Sequence, residues 1–398
     1  MSEKFLSIGL PKEIKAGERR VGLTPQGVKH IVSKKIQVFI ERGAGEGSGF
    51  SDRMYLNSGA ILVHEASELW KRAEIIVKVK EPQPEEFRFF QKKHILFTFL
   101  HLSSHKESHL VKALLKTGTT AIGYETIHKN GETSILKPMS EIAGYLSGYF
   151  ACYVHQKVKV RAGEIKYPSS YQKDLLSIEK VFPKLKFPSF NGNILILGGG
   201  TVGFQAALAL SHTKAHIWIT EKNSKRIAHL KKVFMKNRSN IIVVDAQDRS
   251  IPSLMNKAHV VIGAVYVIAR RAPILVDEEM LHDASHHHRK LIIDVAVDQG
   301  GNIFDTHPTT YDDPLFIDSF GNLRFGVANI PSICPGYASK LLEKVTLTYV
   351  IELTKGLKSA VQAYPEIVAG INIYKGKVVN KEVADIHRLF YEPLGRLS

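Results

Sequence analysis

A guanidinium, an ammonium, an imidazole and a carboxylate stand at strand or loop ends of this 398-residue chain, and such a set can hold an anionic substrate and move protons on it. Arg20 closes the loop after a strand predicted over residues 5–10 and precedes the apolar Val21. There it either lies on the surface or grips a carboxylate with two parallel hydrogen bonds, which lysine cannot do. Lys80 precedes Glu81 and Pro82 at the end of a strand predicted over residues 75–79, and period-two alternation puts Lys78 and Lys80 on one face. His101 lies at the far end of an extended run over residues 94–102. It is either a satisfied core histidine or a proton carrier whose reference pKa of about 6.5 leaves both protonation states accessible. Asp298 follows a buried strand predicted over residues 291–297, at the edge where a parallel sheet binds its ligand.

The elements that must position these groups are clearest between residues 193 and 221. Ile194, Leu195, Ile196 and Leu197 form a run long enough for a fully buried parallel strand, and it stops at Gly198, Gly199 and Gly200. Gly203 completes a G-x-G-x-x-G pattern, residues 204–210 read as a helix, and residues 216–220 read as a second strand ending in Glu221. Strand, glycine turn, helix, strand and acid in that order predict a dinucleotide site, against the plainer reading of a steric turn. Gly198 permits the tight turn, Gly200 lets backbone approach a pyrophosphate, Gly203 lets helix and strand pack, and the helix N-terminus attracts the phosphates. Glu221 stands where a carboxylate accepts hydrogen bonds from an adenosine ribose. Because it would repel a 2′-phosphate, it favours NAD over NADP.

Further strands are predicted at 38–41, 61–63 and up to residue 126, and again at 241–245 and 260–265, separated by helix-length segments. Met139-Ser140-Glu141 opens a helix predicted over 142–153, in which Gly144 and Gly148 admit close packing and Ser140 either caps the helix or touches a cofactor. Residues 156–192, rich in lysine and proline, read as an exposed connection, and the chain after residue 337 reads as mostly helical. His286, His287 and His288 read as an exposed turn rather than a metal site, since consecutive positions do not converge on one ion. The expected fold is a two-domain α/β protein. A Rossmann-type doubly wound parallel sheet (135–335) is inserted into a discontinuous α/β substrate domain (1–134 and 336–398), with the site in the cleft between them.

Composition excludes several classes. With 44% hydrophobic and 23% charged residues the chain is ordinary globular material, and no apolar stretch has membrane-spanning length. The first residues are too polar for a signal peptide, so the expected location is the cytoplasm. The two cysteines, Cys152 and Cys334, lie too far apart in sequence for a metal motif and read as buried small hydrophobes. A formal charge of +16 also fits nucleic-acid binders, but the basic residues are scattered in small clusters without interleaved aromatics. A solvated surface is expected, with no nucleic-acid or membrane partner.

The chain resembles the alanine dehydrogenase family, whose fold is shared by the NAD-binding subunit of proton-translocating transhydrogenase. The likeness runs through residues 9–15, 18–25, 43–50, 78–82, 96–102, 124–126, 138–144, the glycine turn, 262–265, 294–301, 308–312 and 327–331. Lys-Val-Lys-Glu-Pro at 78–82 and Phe-Leu-His-Leu at 99–102 are closer to alanine dehydrogenase than to transhydrogenase. The resemblance implies NAD-dependent, reversible oxidative deamination of L-alanine to pyruvate and ammonium by a homohexamer. It implies that Arg20 and Lys80 bind the substrate carboxylate and carbonyl oxygen, that His101 handles protons and that Asp298 assists at the nicotinamide. Ser140, Gly198, Gly200, Gly203, Glu221 and Asn329 are the implied cofactor-binding residues. A dehydrogenase of another amino acid and a catalytically silent NAD-binding paralogue are the alternatives. The chain departs from the family pattern in the longer segment 161–190 and in the loop 268–271.

Overall fold

Short runs of β-branched and other apolar residues, most of them buried along their whole length, build two sheets, each belonging to its own unit of the chain. The computed structural model describes residues 5–161, 163–235, 240–248, 250–267 and 271–395. One unit comprises the described residues up to Met139 and from Cys334 onward, and the other runs from Ser140 to Val267 and from Arg271 to Ile333. This is the expected α/β class with parallel-dominated sheets.

The sheet of the first unit has eight strands in the spatial order Lys377–Val378, Ile371–Tyr374, Thr120–Gly123, Ile95–Thr98, Ile75–Val77, Ile8–Leu10, Val38–Glu41 and Ile61–Val63. All pairs are parallel except the two made by Ile371–Tyr374. Its inner face packs Phe39, Ile76, Leu96 and Ala121 against Trp70, Leu110, Val111 and Leu114. The tail is therefore not only helical, as expected, but returns a strand pair to this sheet. Ile371 and Ile373 alternate into the core, and Lys375 and Gly376, both at positive φ, make the turn.

His94 is wholly buried here, its Nδ1 accepting from the Gln91 amide at 3.1 Å and its Nε2 donating to the Trp70 carbonyl at 2.8 Å. Burial is the main reason its pKa is held down at about 4. The folded ring stays neutral where the unfolded one takes a proton, so its contribution is full above about pH 6.5 and is lost as pH falls through 4. That loss is on the order of 3 kcal/mol. Urea midpoints at pH 7 and pH 4.5 are expected to show the acid loss, and His94→Gln to reduce it.

The sheet of the second unit has the order Ile241–Asp245, His216–Glu221, Asn193–Leu197, Val260–Gly263, Leu291–Asp294, Leu323–Phe325 and Leu315–Ile317, parallel except for the last pair. Strand order reverses at Asn193–Leu197, so the crevice at its carboxyl end, next to Gly263, is the topological switch point where such sheets bind ligands. The helix Lys137–Lys157 packs on the helix Thr201–Leu210 through its glycines. A Cβ at Gly144 would lie 2.3 Å from the Val202 carbonyl oxygen, and one at Gly148 3.2 Å from Leu210 Cγ.

Residues 156–192 are not a bare connection. They form the hairpin Lys159–Arg161/Glu164–Lys166 and the helix Tyr171–Val181, whose Tyr171, Leu175 and Ile178 recur at helical spacing and bury one face. His286 and His287 likewise are not in a turn but end the helix Glu278–His287. In the loop 268–271, Ile268, Ala269 and Arg270 lie outside the described residues, as does Ala162 of the longer segment. Cys152 and Cys334 are buried and not joined in a disulfide, and burial pushes the Cys152 thiol up to about 12.

Candidate active site

Lys80 and His101 meet because their strands are parallel neighbours in register. Val77 pairs with Phe97 at the carboxyl ends of Ile75–Val77 and Ile95–Thr98, and both side chains sit three residues beyond their strand. Lys80 Nζ lies 3.3 Å from His101 Nε2. An ammonium at that distance donates, so Nε2 accepts and the ring carries its proton on Nδ1. The extended run expected over 94–102 ends earlier, at Thr98, because His101 adopts φ +52°, a left-handed conformation that non-glycine residues rarely take. Glu125, just beyond the next parallel strand, holds that loop by accepting from the Leu100 amide at 3.2 Å and the His101 amide at 2.7 Å. Phe99 stacks on the imidazole, with centroids 6.1 Å apart and planes 17° off parallel.

Lys80 is anchored from below. Glu13 Oε1 accepts from the Val79 amide at 2.6 Å and the Lys80 amide at 3.4 Å, and its Oε2 lies 3.1 Å from Lys78 Nζ, which Glu86 meets at 3.0 Å. Lys78 is 1% exposed, so one buried ammonium stands between two carboxylates. Burial pushes the Glu13 carboxyl up to about 7 against the pull of Lys78. Glu81 pairs with Lys15, and its second oxygen is buried without a hydrogen-bond partner among the described residues. Burial alone would raise this carboxyl, but Lys80, His101 and Lys15 hold it below its ordinary value. Glu107, after His101, is pushed up to about 7 by burial and by Glu81.

Arg20 is 2% exposed, not a surface arginine. The paired hydrogen bonds expected of it are made within the chain, Nε to Glu18 Oε1 at 2.8 Å and Nη2 to Glu18 Oε2 at 2.6 Å, while Nη1 lies 3.2 Å from Met139 Sδ. Burial would raise Glu18, but Arg20 overrides it and holds the carboxyl at about 2, with Lys80 adding to the pull. Arg20, Lys80 and His101 thus belong to one electrostatic neighbourhood. Glu13, Glu18, Glu81 and Glu125 are its supports, none of which has an expected role from sequence. The only signal was a carboxylate next to a predicted strand end or two residues before Arg20.

In the second unit the glycine turn has the geometry its spacing predicts. Gly198 sits at φ +104°, a Cβ at Gly200 would meet nothing within 4 Å, and one at Gly203 would lie 1.9 Å from the Gly198 carbonyl oxygen. Glu221 ends its strand with Oε1 accepting from the Lys222 and Asn223 amides at 2.8 and 2.9 Å, and its Oε2 leans over Gly199. Arg226 Nε donates to the Gly199 carbonyl at 2.7 Å. An open backbone at Gly200, a helix N-terminus and an acid beside the turn fit the pyrophosphate and ribose of a dinucleotide. Gly203→Ala is expected to cost about 1–3 kcal/mol from overpacking and to weaken NADH binding at least tenfold. Thermal melting and fluorescence titration check the two effects separately.

Asp298 is exposed on the short turn Val297–Gln299. Asp294 holds that loop, accepting from the Ala296, Asn302 and Ile303 amides and from Thr306 Oγ1. Asn302 in turn bonds both the amide and the carbonyl of Val265, at 2.8 and 3.0 Å, another support that the sequence reading missed. Ser140 is not a cap, because its helix begins three residues earlier, at Lys137. Asn329 adopts φ +61° just before the turn Ile330–Ile333. The structure brings Lys80 to His101 and Glu221 to the glycine turn. It places Asp298, Ser140 and Asn329 on separate segments of the second unit.

Comparisons with known proteins match nearly the whole chain. The family model described as "Alanine dehydrogenase/PNT, N-terminal domain" matches residues 9–143, and that described as "Alanine dehydrogenase/PNT, C-terminal domain" matches residues 187–381. An alanine dehydrogenase of Methanococcus maripaludis is 36% identical over 97% of this chain and 98% of its own length. Alanine dehydrogenase 1 of Staphylococcus aureus is 33% identical over the same shares. A solved L-alanine dehydrogenase structure superposes with a TM-score of 0.79 at 36% identity, covering 96% of this chain and 99% of its own. A transhydrogenase from Sinorhizobium meliloti, 21% identical over 94% of this chain and 99% of its own, shares the fold at a TM-score of 0.69.

Proposed function

The chain belongs to the alanine dehydrogenase/PNT family, and from that premise we propose that it catalyses the NAD-dependent, reversible oxidative deamination of L-alanine to pyruvate and ammonium. The observation that ties this reading to the chain's own residues is the Lys80–His101 pair, held 3.3 Å apart by two parallel strands. When bound, NAD supplies the acceptor for the hydride that leaves Cα of alanine, and the substrate imine must then be hydrolysed.

The residues present have the chemistry for the remaining steps. Once the Lys80 ammonium turns to the substrate oxygen, His101 Nε2 takes a proton from the attacking water and returns it to the departing nitrogen. Lys80 hydrogen-bonds the oxygen that water brings to Cα, which becomes the carbonyl oxygen of pyruvate as the nitrogen leaves and the hydroxyl proton is lost, and Arg20, its charge held in place by Glu18, binds the substrate carboxylate. Asp298 assists at the nicotinamide end. Ser140, Gly198, Gly200, Gly203, Glu221 and Asn329 bind the cofactor, and Glu221 selects NAD by repelling a 2′-phosphate. We propose also that the enzyme is a cytoplasmic homohexamer. No helix among the described residues is long and apolar enough to cross a membrane.

The test is NADH formation from L-alanine with NAD, and NADH consumption with pyruvate and ammonium. Turnover in both directions, much slower with NADP, is expected. Turnover of a bulkier amino acid but not of alanine would move the substrate assignment, and no turnover of any amino acid would overturn the reading. Light scattering is expected to return about six times the 44.4 kDa chain mass.

A further inference from the structure

The helix Glu278–His287 carries a pair of histidines that the dehydrogenase reading does not use. His282 and His286 are one turn apart and share a face. Their Nε2 atoms lie 3.1 Å from each other, with ring centroids 4.4 Å apart and planes at 88°. Two ring nitrogens at that distance either share one proton or aim both lone pairs at one cation. Metal–nitrogen bonds of ~2.0–2.1 Å put two ligand atoms ~3.3 Å apart at a tetrahedral angle and ~2.9 Å apart at a right angle, and the observed spacing lies between them.

Three further features fit a cation. His282 Nδ1 lies 3.5 Å from Asp283 Oδ1, so a carboxylate stands beside the ring nitrogen that does not face His286 and adds negative charge near the pair. The rings of Phe320 and His282 meet edge to face, with centroids 5.4 Å apart, which supports the imidazole on another side. The pair also stands in the last turns of its helix, where unsatisfied carbonyls make the backbone partly negative. Nearby histidines are occupied otherwise: His288 Nε2 bonds the Ala258 carbonyl and His259 Nδ1 accepts from the Asn193 amide. Both His282 and His286 are exposed, so water can fill the remaining coordination positions.

We propose that His282 and His286 form a two-ligand surface site for a borderline divalent transition-metal ion such as zinc, nickel or copper. Among the described residues no group of three or more histidine, cysteine, aspartate or glutamate side chains is placed to hold a metal, so the site is an open one completed by water. Imidazole ligands select copper over nickel and zinc, and all three over magnesium and calcium.

The full-length chain, purified without a histidine tag, is titrated with copper(II) and with zinc(II) by calorimetry. One ion per chain is expected, weakened at least tenfold in both His282→Ala and His286→Ala and unchanged in His287→Ala, on the same helix. The copper(II) electron paramagnetic resonance spectrum is expected to show two nitrogen ligands in the wild type and fewer in either variant. Unchanged melting temperatures confirm that the exposed substitutions leave the fold intact. Equal affinity in wild type and both variants, or no saturable binding up to millimolar metal, would overturn the proposal.

Discussion

His101→Ala and Lys80→Ala are each expected to lower NADH formation from L-alanine by about 10²–10⁴-fold, the range a positioned acid–base group contributes. The two side chains share a contact, 3.3 Å between Nζ and Nε2. If they act as a unit, the double variant falls little below the worse single one, because the second substitution removes a function already lost. His101 also bears the φ +52° backbone, which alanine tolerates poorly. His101→Asn, a residue at ease in that conformation, therefore separates chemistry from folding. It should melt close to the wild type and still be inactive. A His101→Asn variant retaining a tenth or more of the wild-type rate would remove this residue from the proposed proton transfer.

Lys78→Met carries the largest stability loss. The ammonium is 1% exposed between Glu13 at 3.1 Å and Glu86 at 3.0 Å. Deleting it leaves two buried carboxylates facing one another with no cation, and breaking a buried pair in this way costs about 3–5 kcal/mol. Denaturant midpoints of the variant should fall accordingly. Glu13→Gln should cost less, because Lys78 keeps Glu86 and the amide oxygen can still accept from the Val79 amide. Both substitutions also disturb the turn that carries Lys80, so activity should fall with stability in Lys78→Met. A Lys78→Met variant as stable as the wild type would show that the triad contributes nothing net to the fold.

The strands that carry the site were legible because each is a local apolar run. Val38–Glu41 and Ile61–Val63 have the expected bounds, and the glycine turn falls where the spacing of Gly198, Gly200 and Gly203 puts it. In the segment 156–192 lysines and prolines dominate the composition and mask the hairpin and helix that form there. The buried stripe of Tyr171, Leu175 and Ile178 is only three residues, and it counts once Tyr153 OH meets Asp174 at 2.8 Å. The strand at 371–374 was missed for a related reason. Four residues between a short helix and a turn carry little periodic signal, and their place is set by pairing with Thr120–Gly123, far away in sequence.

What this sequence determined by itself was most of the long apolar strands and the strand, glycine turn, helix and strand order at 193–221, since residue type and short-range spacing carry that information. What only the tertiary structure decided was how Arg20, Lys80 and His101 are held. Glu13 reaches Val79 across 66 positions and Glu125 reaches His101 across 24, and Arg20 gives its paired hydrogen bonds to Glu18. A buried charge must find its counter-charge wherever the packed chain brings one, and no local pattern records that meeting.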